Sequence, residues 1–314
     1  MTKKAIKRGL LLIAAALGLV IGFCGTALCV DHEGTWYSDI EAAADVAKKN
    51  KLNLFVLFTG SDWCPMCVKL HNEVVGTQEF REATKNKFVL VMLDFPRTQK
   101  MLFRQVQQNE RLARKYRIEG FPTVILLDSK GRPYARTGYQ PGGATDYVVH
   151  LDQLDEKLRN RDELFALSER AEGKARAELL DRALMSLQED GVLQDYDSEI
   201  DEVIKFDPNN EAGLKEKYET GRKFIRIVSL IQEQRFQEAQ TVISESSLKA
   251  DAPIPSRQRL LYLKAVVLHG LGEESSEIRV LNEAIALDPS SPLSHHLRSI
   301  ISEHQVDQKP IGQE

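Results

Sequence analysis

The chain has 314 residues, too many for one domain of a hundred or so and enough for two. Apolar residues make up 42% and charged ones 28%, the balance of a globular protein that can bury a core. The net charge is −4, and the first 29 residues hold four basic residues and no acid, so the remainder stands at −8. That excludes a nucleic-acid binder, which needs a basic surface, and gives no reason to expect an anionic membrane as partner.

Taken in chain order, Lys3, Lys4, Lys7 and Arg8 precede the apolar stretch Leu10–Phe23, and the small residues Gly25-Thr26-Ala27 follow. This is the layout of an export signal, cut after Ala27 or Cys29, with an uncleaved membrane anchor as the alternative. Either way residues 31–314 are expected outside the cytoplasm, in the periplasm. Of the four cysteines, Cys24 and Cys29 fall in this leader. An exported chain that keeps only Cys64 and Cys67 has no disulfide framework, so that pair needs another explanation.

Residues 36–50 have helical spacing, with Ser38 or Asp39 as the cap. Leu52–Phe58 is a continuous apolar run of strand length, and a helix is expected to open at Cys64. Phe88–Leu93 reads as a second buried strand and Gln107–Tyr116 as a short helix. Phe121–Leu127, a turn at Asp128-Ser129-Lys130-Gly131, and Tyr134–Thr137 read as an antiparallel hairpin. A helix from Thr145 to Leu158 closes a mixed sheet covered by helices on both faces, an α/β unit over 31–159.

From 160 to 314 no strand is convincing. Leu164–Ala171, Ala175–Leu187, Tyr218–Glu233, Phe236–Ser244, Leu260–Leu271 and Ile278–Leu287 have helical periodicity. Gly173, Asp190-Gly191, Asp207-Pro208-Asn209-Asn210, Pro253, Pro255, Gly272 and Asp288-Pro289 break them. The stretch from Leu260 to Pro289 resembles a tetratricopeptide repeat, and Ile204–Asn210 repeats its ending. Divergent helical hairpins are the expectation for this all-α region.

The chemistry concentrates in Trp63-Cys64-Pro65-Met66-Cys67. With Cys64 as helix N-cap, Pro65 falls at the first helical position, where its missing N–H costs nothing. The Cys64 sulfur then faces the free N–H groups of Met66 and Cys67 and the positive end of the helix, both of which favour thiolate. Cys67 lies one turn on, close enough for a disulfide and less exposed. Cys64 is the expected nucleophile and Cys67 the resolving thiol. Zinc bound by the two thiols with His71 lacks a fourth ligand, and a purely structural disulfide would close too small a loop to stabilise much.

The two motifs Trp63–Cys67 and Gly120-Phe121-Pro122-Thr123, with Asp94-Phe95-Pro96-Arg97 after the intervening strand, resemble the thioredoxin superfamily. The likeness is to exported bacterial thioredoxin-like proteins and covers residues 36–158. It implies a cis Pro122, a loop at Phe121 and Pro122 that pairs with an extended substrate segment beside the dithiol, and an apolar contact surface from Trp63 and Phe121. Pro65 and Met66 would modulate the dithiol. The resemblance implies protein disulfides as substrates, with no metal and no organic cofactor.

The sequence also departs from that family. The buried aspartate expected six residues before the first cysteine is replaced by Phe58, and its lysine companion aligns with Leu90. Water, Asp62 or Glu73 is left to take the proton of Cys67. A reductase fed by a membrane electron donor is the leading expectation, with an isomerase or an oxidase of the envelope as alternatives. An isomerase would want a homodimer, for which the helical region is the available contact. In a reading of another class, a helical-repeat scaffold binds envelope proteins and its thioredoxin module is redox-inert.

Overall fold

A computed structural model of the chain describes residues 35–246 and 252–307. The export signal or anchor expected over 1–29 lies outside these residues. Among the described residues no helix is long and apolar enough to cross a membrane. The chain forms two compact units: one runs to Asn160 and includes Ser186–Asp195, the other comprises Arg161–Met185 and Tyr196–Glu314.

The first unit is built on five strands: β1 (Trp36–Tyr37), β2 (Asn53–Thr59), β3 (Phe88–Asp94), β4 (Thr123–Leu127) and β5 (Pro133–Thr137). They lie in the order β1-β3-β2-β4-β5. β2 runs parallel to β3 and antiparallel to β4, and β4 pairs antiparallel with β5. The mixed sheet expected from sequence is therefore present, with β2 at its centre. Six consecutive residues of β2, Leu54 to Thr59, are buried, which is why that segment reads as an unbroken apolar run.

The register sorts the side chains onto two faces. Leu54, Val56 and Phe58 pack with Val89, Val91, Leu93, Leu112, Tyr116, Ala43 and Ala47 on one. Phe55 packs on the other, edge-on to Phe80 at 5.5 Å, Phe88 at 6.3 Å and Tyr147 at 6.4 Å.

The helices of this unit are α1 (Ile40–Asn50), α2 (Pro65–Leu70), α3 (Gln78–Thr84), α4 (Phe103–Lys115) and α5 (Gly143–Ser168). Two expectations need correction here. The helix read from residue 36 begins at Ile40: Trp36 and Tyr37 pair with Leu90 and Val91 instead, and Asp39 caps the helix by accepting from the N–H groups of Glu41 and Ala42. The helix read as ending at Leu158 runs on to Ser168, because no glycine or proline interrupts it before the supposed next helix at Leu164.

Sequence periodicity also gave no sign of α3, a seven-residue helix that buries only Phe80 and Thr84 and is capped by the Thr77 hydroxyl. α2 continues as a π-helical turn over His71–Val75.

The described elements of the second unit are helices: the end of α5 from Arg161, α6 (Gly173–Glu189) up to Met185, α7 (Asp197–Phe206), α8 (Leu214–Gln232), α9 (Phe236–Glu245), α10 (Ile254–Gly270), α11 (Glu274–Leu287) and α12 (Pro292–Asp307). α10 serves two cores. Leu263 and Val267 pack with Phe224, Ile227, Leu230, Ala239 and Ile243, while Ala265 and Leu268 pack with Val280, Leu281, Ala284 and Leu297. A helix buried on both sides carries apolar residues all round, and α10 does.

Candidate active site

β2 ends at Thr59, Gly60 to Trp63 make the turn, and Cys64 caps α2. Cys64 has extended backbone angles (φ −92°, ψ 108°) and its sulfur accepts from the Cys67 N–H at 3.2 Å. Pro65 occupies the first turn, where no intrahelical donor is lost. The expected cap at Cys64 and the expected place of Pro65 are present, with the Cys67 N–H, and not that of Met66, as the donor to the sulfur.

Cys64 and Cys67 are joined as a disulfide with Cα atoms 5.2 Å apart, and only 5% and 3% of their surfaces are exposed. The Gly60 N–H donates to the Cys67 sulfur at 3.4 Å. Met66 and Val68, by contrast, are exposed.

The second motif meets the first. The Phe121–Pro122 peptide is cis, and the Phe121 carbonyl oxygen lies 3.5 Å from the Cys64 sulfur. Trp63 stands edge-on to Phe121 at 5.7 Å, and Phe121 lies 5.1 Å from Phe95. Trp63, Cys64, Cys67, Phe121 and Pro122 therefore share one end of the sheet, where β2 and β4 are neighbours.

A third segment, Asp94 to Thr98, completes the surround. The Trp63 indole N–H donates to the Phe95 carbonyl at 2.8 Å, and the Arg97 guanidinium lies over the indole ring at 3.9 Å. Asp94, which ends β3, accepts from Ser61 N–H at 2.9 Å, Ser61 hydroxyl at 2.6 Å and Phe95 N–H at 2.9 Å. Asp62 accepts from the Thr98 hydroxyl and from the backbone N–H groups of Arg97 and Thr98. These bonds, the Thr98 hydroxyl foremost, hold its carboxyl at about 2, below the usual carboxylate range.

Gly60 makes room for this arrangement, since a Cβ there would fall within 2.8 Å of three atoms of the Trp63 indole. Arg97, Thr98 and Gly60 were not singled out as site residues from sequence. The pairing of Thr59 with Asp94 brings the two segments together, and only strand register reveals it.

The proton acceptor for Cys67 looks different in three dimensions. Phe58 is fully buried, stacked on Phe95 at 6.5 Å and edge-on to Tyr116 at 6.3 Å. The residue paired with it is Leu93, not Leu90, which sits opposite Phe55 with the other face of the sheet. Both neighbours are aliphatic, so the site of the family's buried carboxylate is apolar here. Glu73 accepts from the Tyr139 hydroxyl at 2.6 Å, and Asp62 is engaged as described, so the hydrogen bonds of both carboxylates are made away from Cys67. Among the described residues no cluster of His, Cys, Asp and Glu could hold a metal ion.

A thioredoxin-type sheet that places a dithiol at a helix start, facing a cis-proline loop, defines a thiol–disulfide oxidoreductase. Residues 40–150 match the model of a thioredoxin-like domain. Over 113 residues the chain is 34% identical to the disulfide bond reductase DsbH of Chlamydia pneumoniae, covering 36% of this chain and 68% of that protein. It is 32% identical over 126 residues to the thioredoxin-related protein DsbJ of the same organism, covering 38% of this chain and 36% of that one. Among solved structures, a DsbH oxidoreductase is similar at 32% identity, with a TM-score of 0.37 and coverage of 38% of this chain and 83% of the other. The chain belongs to the thioredoxin-like family.

Proposed function

We propose that this protein is an exported disulfide reductase of the cell envelope that acts on protein disulfides through Cys64 and Cys67. The observation that carries the reading is the position of the Cys64 sulfur, bonded by the Cys67 N–H at the start of α2 and 3.5 Å from the Phe121 carbonyl. In the reduced protein such a position favours thiolate. Cys64 attacks one sulfur of a substrate disulfide, forming a mixed disulfide and releasing the first substrate thiolate. Cys67 then loses its proton and attacks the Cys64 sulfur, releasing the second substrate thiolate and leaving the Cys64–Cys67 disulfide. A donor dithiol on a membrane protein restores the starting state, giving two electrons to the Cys64–Cys67 disulfide and itself becoming a disulfide.

In this reading the Phe121–Pro122 backbone pairs with the substrate chain, and Trp63 and Phe121 form the apolar wall beside it. Pro65 and Met66 tune the dithiol. Relatedness to DsbH, named a disulfide bond reductase, supports the reducing direction over oxidase or isomerase. The export layout of the N-terminus supports the compartment.

The test is the redox equilibrium of Cys64–Cys67 against glutathione, followed by tryptophan fluorescence, with Cys64→Ser as control. A potential near about −250 mV or below is the expected result, and one near about −130 mV would overturn the reductase in favour of an oxidase or isomerase. Were no reversible dithiol–disulfide transition to appear, the redox-inert scaffold would replace the enzyme.

A further inference from the structure

Arg97 stands out among the groups around the dithiol because its charge is placed yet unused. Its guanidinium carbon lies over the ring of Trp63, the residue before Cys64, 3.9 Å from the centroid. Among the described residues no carboxylate pairs with it. The two acids of this surround are engaged by other groups: Asp94 by Ser61 and Phe95, Asp62 by the backbone N–H of Arg97 and by Thr98, not by the guanidinium.

The placement is enforced twice. Asp62 fixes the Arg97 backbone, and the Trp63 platform is itself fixed by the Phe95 carbonyl, the Phe121 edge and the space left by Gly60. A guanidinium lying on an aromatic face keeps its N–H donors directed outward in its own plane, where they match the two oxygens of a carboxylate. Arg97 is also exposed, so an incoming chain can reach it.

We propose that Arg97 is a specificity-determining residue that receives an acidic side chain flanking the reactive disulfide of the substrate protein, and that Asp62 is the residue that positions it. The proposal rests on the oxidoreductase reading above and names the substrate class: disulfides with a carboxylate beside the attacked cysteine. An exposed pair of this kind has a modest worth, so discrimination of about three- to fivefold is expected at low salt.

The experiment uses the full chain, reduced, and two disulfide-linked peptides that differ only in Glu or Gln next to the cysteine. The readout is the ratio of their reduction rate constants, which cancels any general loss of activity in a variant. For the unaltered protein the ratio should be about three to five at about 20 mM salt and fall toward one at about 1 M, where the screening length is a few ångström. Arg97→Gln should bring the ratio to about one, Arg97→Lys should leave an intermediate value, and Asp62→Asn should lower it by releasing the segment.

A ratio of one in the unaltered protein, or a ratio undiminished in Arg97→Gln, overturns the proposal while leaving the oxidoreductase intact; in the second case another cation, such as Lys100, sets the preference. If the protein reduces neither peptide, the oxidoreductase reading falls and this one with it.

Discussion

The two units use polar side chains for different ends. In the sheet unit, Ser61, Asp62, Asp94 and Thr98 lie at the ends of β2 and β3 and hold a reactive loop in one geometry. In the helical unit the comparable groups stop and restart helices. Asp207 accepts from the N–H groups of Ala212, Leu214 and Lys215 at the entrance to α8, and Asp288 accepts from the N–H of Ser290 ahead of α12. Buried Gln258 donates to the carbonyls of Ala284 and Asp288 and to the Ser294 hydroxyl, tying three helices together. The sheet unit spends its loop polarity on a site, and the helical unit spends it on regular stacking.

The tryptophans let the units be followed apart: Trp36 and Trp63 are the only two in the sequence, and both lie in the sheet unit. The largest stability effect is expected from Phe55→Ala. It removes a fully buried ring that touches Trp36, Phe80, Phe88 and Tyr147, and should cost about 3–5 kcal/mol, read as a lower denaturation midpoint by tryptophan fluorescence. Gly270→Ala strikes the other unit. Its Cβ would come within 2.6 Å of three atoms of the Phe236 ring, an overpacking worth about 1–3 kcal/mol. That loss should appear in far-UV circular dichroism while reduction by the dithiol is kept. If the two probes moved together in either variant, the division of labour drawn above would fail.

Asp207→Ala should cost about 1–2 kcal/mol, seen in the same dichroism transition, because three N–H groups at the start of α8 lose their acceptor. Burial on its own would raise the Asp207 carboxyl, but the N–H groups it accepts from outweigh that and hold it below its ordinary value. Its contribution is therefore present above the unfolded value near about 4 and is lost as pH falls through the folded one.

The smallest effect is a pH dependence confined to the site. Asp62 titrates at about 2 in the folded protein, below its ordinary 3.8. Its hold on Arg97 and Thr98 should thus be constant from pH 7 down to about 4 and fail only as pH falls toward 2. Trp63 fluorescence in a Trp36→Phe background should be flat over that range, and a transition between pH 5 and 7 would show that another group controls the platform.

How much of this was legible in the chain depends on how local each feature is. The Cys64 cap and the Pro65 position follow from neighbouring residues, the cis bond at Pro122 is what the family resemblance implies, and the structure has all three. β1 was read as helix because two residues carry no period and only the exposed edge of β3 makes them a strand. α7 and α12 were passed over because they offer short apolar stripes between breakers, completed by packing against other helices. Position along the strand sets Leu90 beside Phe58, while the register pairs Phe58 with Leu93 and Leu90 with Phe55. A slip of this kind moves a residue to the opposite face, since side chains alternate.

The sequence by itself determined the fold class and the dithiol, because strand burial and helix capping act over a few residues, and the resemblance carried by its two motifs implied the proline loop. Only the tertiary structure decided what surrounds the dithiol. Arg97 reaches Trp63, and Asp62 reaches Thr98, through the pairing of Thr59 with Asp94. Contacts between residues some 35 positions apart are fixed by which strands lie side by side, and that follows from the packing of the whole sheet rather than from any local stretch.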